Sequence, residues 1–176
     1  MPRLDGATHI NLTVTDLDIS AEWYGRVFEM VQVNDVTPPG SGFRFRTLVH
    51  PASFASVVLG RPEEGAAGGT FDERRIGLHH FAYHVPERAD LDLWADHLDA
   101  VGVGHSGITT SAHEAGSQIW LRDPDDIWLE LYWVNRDFFA GRLREQWRAA
   151  RRAGARHPFL PTPLARDLAN SRRSPS

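Results

Sequence analysis

Apolar and polar residues alternate at the start of the chain. Across residues 8–15, Ile10, Leu12 and Val14 fall on one side and His9, Asn11 and Thr13 on the other, the period of two of a half-buried strand. The period then lengthens: Trp23, Val27 and Met30 recur at helical spacing behind Asp18 and Ser20, either of which can cap a helix. Strand patterns follow at 32–36, 43–49 and 54–59, punctuated by Pro38, Pro39 and Gly40 and then by Gly60 and Pro62, and 63–70 reads as a loop.

The same order then starts again. Residues 77–85 read as a strand, 90–101 as a helix with Leu91, Trp94 and Leu98 at helical spacing, and 103–110, 116–122 and 127–133 as strands. An offset of 71 residues superposes His9 on His80, Val14 on Val85, Trp23 on Trp94 and Val27 on Leu98. A βαβββ unit is therefore written twice. The expected fold is α+β: two modules, about 6–62 and 76–134, within a domain 1–134, their strands forming a curved mixed sheet around a cleft. An extension follows at 135–176. In it Phe139, Leu143 and Trp147 make the stripe of an amphipathic helix over 136–152, and the proline-containing 157–176 reads as irregular. That helix is expected to close the core or a dimer interface, or to act as a lid.

Composition narrows the chemistry. With no Cys, disulfides, thiolate metal sites and cysteine nucleophiles are excluded together. There is no long apolar run and no signal-peptide pattern, which predicts a cytoplasmic protein with no membrane partner. All 19 basic residues are Arg; residues 1–134 hold 9 Arg against 20 acids and 135–176 hold 10 Arg against 3. No nucleic-acid motif accompanies the basic end, so the tail is expected to pack on acidic protein surface and not on nucleic acid.

The stretch 123–133 carries the strongest chemical signal. Asp123, Pro124, Asp125 and Asp126 make a turn, and the strand after it puts Ile127, Leu129, Leu131 and Trp133 on a core face and Trp128, Glu130 and Tyr132 on the other. A carboxylate between two large aromatics is costly to desolvate unless a cation meets it. The repeat places His9 and His80 at matching strand positions. Two imidazoles with one carboxylate, His9, His80 and Glu130, suit one divalent metal on one face, with other positions open. His79, adjacent, is expected to face away by the pleat, as a structural residue or one that supports the ligands.

Three signatures identify a resemblance: His9 through Asp16-Leu17 to Trp23-Tyr24, the run 77–82 (Gly-Leu-His-His-Phe-Ala), and Asp123-Pro124-Asp125 leading to Glu130-Leu131. Over residues 6–134 the chain resembles the vicinal oxygen chelate superfamily, which includes glyoxalase I, extradiol ring-cleavage dioxygenases, fosfomycin-resistance proteins and bleomycin-binding proteins. The family's usual Asp-Pro-Asp-Gly-Asn turn is Asp-Pro-Asp-Asp-Ile here. The resemblance implies His9, His80 and Glu130 as ligands. Glyoxalase I takes a fourth ligand from the last strand of the first repeat, where this chain has no His, Glu or Gln; three ligands leave room for a chelating substrate and O2. The expectation is an extradiol-type dioxygenase of a catechol-like small molecule, with Fe(II) as the metal and Mn(II), Ni(II) or Zn(II) as alternatives, in a homodimer. Asn11, Trp120 and Trp128 would line the substrate pocket, with His113 and Tyr132 as candidate acid–base groups and His50 and His84 as further histidines to weigh. Trp120 stands where such enzymes usually carry Tyr. The rival readings are a glyoxalase-type lyase or isomerase acting through an enediolate, and a binding protein without chemistry.

Overall fold

The protein is described from a computed structural model, which defines residues 7–66, 69–111 and 114–152. The elements run β1 (Ile10–Thr13), α1 (Leu17–Phe28), β2 (Val31–Val36), β3 (Phe43–Val49), β4 (Ser56–Pro62), β5 (Phe81–His84), α2 (Asp90–Ala100), β6 (His105–Thr110), β7 (Gly116–Arg122), β8 (Trp128–Val134) and α3 (Arg136–Arg152). The strands form two four-stranded mixed sheets of matching order, β1-β4-β3-β2 and β5-β8-β7-β6. The duplicated βαβββ pattern of the sequence is thus the architecture of the chain.

The local chemistry sets the boundaries. Asp16, and not Asp18 or Ser20, caps α1: its backbone is extended (φ −140°, ψ 119°) and its carboxylate accepts from the amides of Asp18 (2.8 Å) and Ile19 (3.0 Å). Glu29 ends the helix in the left-handed region at φ 53°, so Met30 lies beyond it. Leu17, Tyr24, Val27 and Phe28 form the buried stripe of α1, and Leu91 and Leu98 that of α2. Gly102, at φ 69°, lets the chain reverse after α2 so that the Val103 amide donates back to the Leu98 carbonyl at 2.9 Å.

In each module the first and last strands pair in parallel. Ile10 is opposite Val57 and Asn11 opposite Val58 in β1–β4; Phe81 is opposite Leu129 and Ala82 opposite Glu130 in β5–β8. Val58 therefore occupies in the first sheet the place Glu130 holds in the second. The edge strand β2 is exposed along its length and carries a register shift between Gln32 and Asn34. Its Asp35 bonds Arg44 (2.7 and 2.8 Å) and Arg46 (2.9 Å) on the neighbouring strand.

One apolar core runs through both modules. Phe28 of α1 meets Tyr83 of β5 (ring centroids 4.8 Å) and Trp94 of α2 (5.7 Å), and His97 donates to the Val27 carbonyl at 3.0 Å. Two polar ties add to it. The Tyr24 hydroxyl donates to the buried Asp123 carboxylate at 3.0 Å, and the Thr15 amide donates to Asp125 at 3.1 and 3.2 Å. Asp123 also accepts from the amides of Asp125 (2.9 Å) and Ile127 (2.8 Å), which closes the turn before β8.

A second compact unit includes the described residues of 110–116 and 134–152. Within it Asn135 caps α3, accepting from the Phe138 amide at 3.1 Å, and donates to the Glu114 carbonyl at 3.0 Å. Phe139 and Leu143 of the expected stripe are exposed. The proline-containing end and His113 lie outside the described residues. No helix among the described residues is long and apolar enough to cross a membrane.

Burial pushes the Asp123 carboxyl up to about 6, against about 3.9 for an ordinary Asp. Between those values the folded chain holds a proton that the unfolded chain has lost, so stability declines as pH rises through the window and is flat above it. The difference corresponds to about 3 kcal/mol. Asp123→Asn keeps an acceptor for the two amides and removes the titration. Urea unfolding at about pH 4.5 and about pH 7 should show a smaller decline in the variant than in the parent chain; equal declines would show that Asp123 does not titrate there. Asp35, held down at about 2 by its bonds to Arg44, acts in the opposite sense and in a separate window, losing its contribution as pH falls below about 4.

Candidate functional site

Glu130 is centred in β8, with buried Leu129 and Leu131 on the core face to either side of it. Its own carboxylate lies on the opposite face and is 6% exposed. Beside it the His80 Nε2 stands 3.4 Å from the Glu130 Oε2. That separation is too long for a charge-assisted hydrogen bond, which is about 2.7–2.9 Å. It does match two ligands of one ion, since atoms each about 2.1 Å from a shared metal stand about 3.0–3.4 Å apart at right to tetrahedral angles.

The electrostatics point the same way. Burial raises the Glu130 carboxyl above its ordinary value. Burial, and then the charge of His79, lower the His80 imidazole. Both groups are pushed towards their neutral forms although they face each other, so the pair does not stabilise itself as an ion pair. The His79 Nδ1 and His80 Nδ1 are hydrogen-bonded at 2.8 Å. With the His80 Nδ1 so engaged, its Nε2 is the nitrogen turned towards Glu130, and in the tautomer that keeps the proton on Nδ1 it offers a lone pair there, as a metal ligand does.

Aromatic rings wall this pair. Trp120 of β7 meets His80 edge-on (4.9 Å) and Trp128 of β8 (4.8 Å), and Trp128 stacks on His79 (5.3 Å, 27° between planes). The Arg122 guanidinium carbon lies 4.8 Å over the Trp128 ring. Tyr132 follows Glu130 on the same face of β8, opposite His84.

His80, Glu130, Trp120 and Trp128 thus come together, with Tyr132 on the same face as Glu130. His9 and Asn11 do not join them. His9 precedes β1 on the other sheet, is exposed, and contacts Thr8 at 3.1 Å. Among the described residues no three His, Asp or Glu side chains assemble as a metal site within one chain. His79 corrects the pleat expectation: β5 begins only at Phe81, so alternation does not govern residues 79 and 80, and His79 turns onto Trp128 and His80. His50 and His84 line a different cavity of about 390 Å³, and the His50 Nδ1 is engaged by Ser53 (2.8 and 3.0 Å).

The sequence model of the Glyoxalase/Bleomycin resistance protein/Dioxygenase superfamily matches residues 6–131. The chain belongs to that superfamily. Similar solved structures include a glyoxylase/bleomycin resistance protein/dioxygenase domain from Frankia sp. EAN1pec, 30% identical, covering 76% of this chain and 95% of that one with a TM-score of 0.66. The fosfomycin resistance protein FosX from Listeria monocytogenes is 18% identical over 80% of this chain and 99% of its own, with a TM-score of 0.57. A FosX variant complexed with Mn(II) and 1S,2S-dihydroxypropylphosphonic acid gives the same identity and TM-score over 77% of this chain and 96% of that one. No curated protein sequence matches the chain. His79 was expected on the opposite face, and Arg122 was not singled out in the sequence. The adjacent His pair was a visible signal for the first. For the second, the signal was an Arg two residues after Trp120 on the same face.

Glu130→Gln keeps the shape of the buried carboxylate and removes its charge. The metal-free variant should melt about 2–4 °C higher for each kcal/mol of desolvation it relieves, as scanning calorimetry would read; an unchanged or lower melting temperature would mean the charge is not a cost. His79→Phe keeps a ring on Trp128 and deletes the bond to His80. Its divalent-metal affinity, measured by calorimetric titration, should fall about 10–100-fold.

Proposed function

We propose that the chain is a metal-dependent enzyme, working as a homodimer, that cleaves the ring of a catechol-like small molecule in the extradiol manner with O2. The observation that supports it is the His80–Glu130 pair set among indole rings, a donor set for a divalent ion beside stacking surface for an aromatic substrate. One chain supplies two ligands on that face. The third, in this reading, is His9 of the partner subunit, since the repeat gives His9 the strand position that His80 has and His9 is exposed.

The chemistry a divalent ion supplies when bound is polarisation of two adjacent substrate oxygens, with electron exchange towards O2 open to Fe(II) and closed to Zn(II). The chain's own residues do the rest. Trp120 and Trp128 hold the ring of the substrate and exclude water from it. His79 keeps the His80 Nδ1 occupied and so fixes the orientation of the imidazole. Tyr132 would hydrogen-bond the substrate from the same face, and His113, in the segment before β7, would carry the proton from its phenol. Val58, in the place of Glu130 in the first sheet, offers no further ligand, which keeps positions open.

A Lewis-acid reaction without O2 is the second reading. The FosX complex with Mn(II) and a dihydroxy phosphonic acid favours it, as a protein of similar fold that binds a non-aromatic diol.

Two experiments separate these statements. His9→Ala and Glu130→Ala should each lack metal, yet refolding them together should recover about a quarter of the parental metal content, because half of randomly formed dimers are mixed and each mixed dimer holds one intact site. No recovery would show that the ligands do not come from two chains. Fe(II)-loaded protein should consume O2 with a catechol and produce a yellow product, while Zn(II) protein should not. Turnover of a diol or glutathione adduct with Mn(II), Ni(II) or Zn(II), and no O2 uptake with any catechol, would replace the first reading with the second.

A further inference from the structure

Arg122 closes β7 on the face that carries Trp120, and its guanidinium carbon lies 4.8 Å over the Trp128 ring. The indole holds the guanidinium through its π face without consuming its N–H donors. One of them goes to the Asp126 carbonyl at 2.7 Å. Two face the Glu73 carboxylate at 3.2 and 3.3 Å. These are looser than the about 2.7–2.9 Å of a good charge-assisted pair. Glu73 belongs to the irregular segment 69–76, whose Phe71 amide reaches the Asp125 carbonyl at 3.4 Å. The Arg122 side chain is 38% exposed to solvent. From it the rings run inward without a break, Trp128 to Trp120 to His80, ending at Glu130.

We infer that Arg122 is the anion-recognition residue of this face, binding a carboxylate carried on an aromatic ring, and that Glu73 is the internal carboxylate such a ligand displaces. The fork is aimed, planar and held, and what occupies it already is a carboxylate. A ligand of this class would keep its ring against Trp128 and Trp120 while its two oxygens meet the two donors now facing Glu73. The burial of charge is unchanged by the exchange, since one carboxylate replaces another, and the strap 69–76 is released to solvent. The inference rests on the proposed function only in taking this face as the substrate face; it does not require the metal.

The test uses the full chain without added metal, titrated with benzoate and with the neutral benzamide and followed by tryptophan emission. Benzoate should bind at least about tenfold more tightly than benzamide, the scale of a charge-assisted contact. Arg122→Gln should abolish that preference, whereas Glu73→Ala should tighten benzoate more than benzamide. Equal affinity of the two ligands, or benzoate binding that survives in Arg122→Gln, would overturn the assignment of Arg122. Weaker benzoate binding in Glu73→Ala would overturn the displacement, and that variant decides alone if Arg122→Gln does not fold. A chain that binds benzoate as expected but takes up no metal would sink the proposed reaction and leave this site standing.

Discussion

The Asp123 carboxylate holds the molecule together at the point where its two halves meet. It is 5% exposed and accepts from the Tyr24 hydroxyl and from the amides of Asp125 and Ile127. Tyr24 comes from the helix of the first module, and the two amides come from the turn that launches the last strand of the second. One side chain therefore sets the position of α1 against the sheet and the start of β8 together. Three donors lower the cost of burying the charge without cancelling it, which is why the group titrates so high. Everything placed by β8, Glu130 and Trp128 included, inherits its coordinates from this turn.

The duplicated order of elements was legible from periodicity alone, because each face of each strand carries its own alternation and the two halves repeat at one offset. The ends of elements were less legible. Asp16, Asp18 and Ser20 are all good caps by type, and only the extended backbone at Asp16 decides among them. The same limit applies to the His pair: alternation sorts side chains within a strand, and residues 79 and 80 precede one. Periodicity also assigns His9 to a face of its sheet, yet it carries no information on which other sheet that face meets. The Arg122–Trp128 contact depends on a cross-strand neighbour, and register between strands is not written in either strand by itself.

The site combines features that a merely structural sheet face would avoid. A buried carboxylate, an imidazole shifted away from its charged form and two indoles are gathered where the local energetics would favour apolar residues. The symmetric place in the first sheet shows what the fold accepts without that demand, since Val58 fills it with no polar group at all. At this position the second module thus bears a desolvation cost that the first does not.

The edge strand β2 has a consequence for how copies of this chain can associate. A row of exposed valines on an open edge would ordinarily recruit another strand and then another, a contact that propagates into fibres. Here the register shift at Gln32 and Asn34 breaks the line of free amides and carbonyls, and Asp35, clamped by Arg44 and Arg46, places charge beside the gap. Both features disfavour growth along the hydrogen-bonding direction at that point. A contact between sheet faces behaves differently, since a two-fold contact uses up the same surface on both partners and ends with the pair.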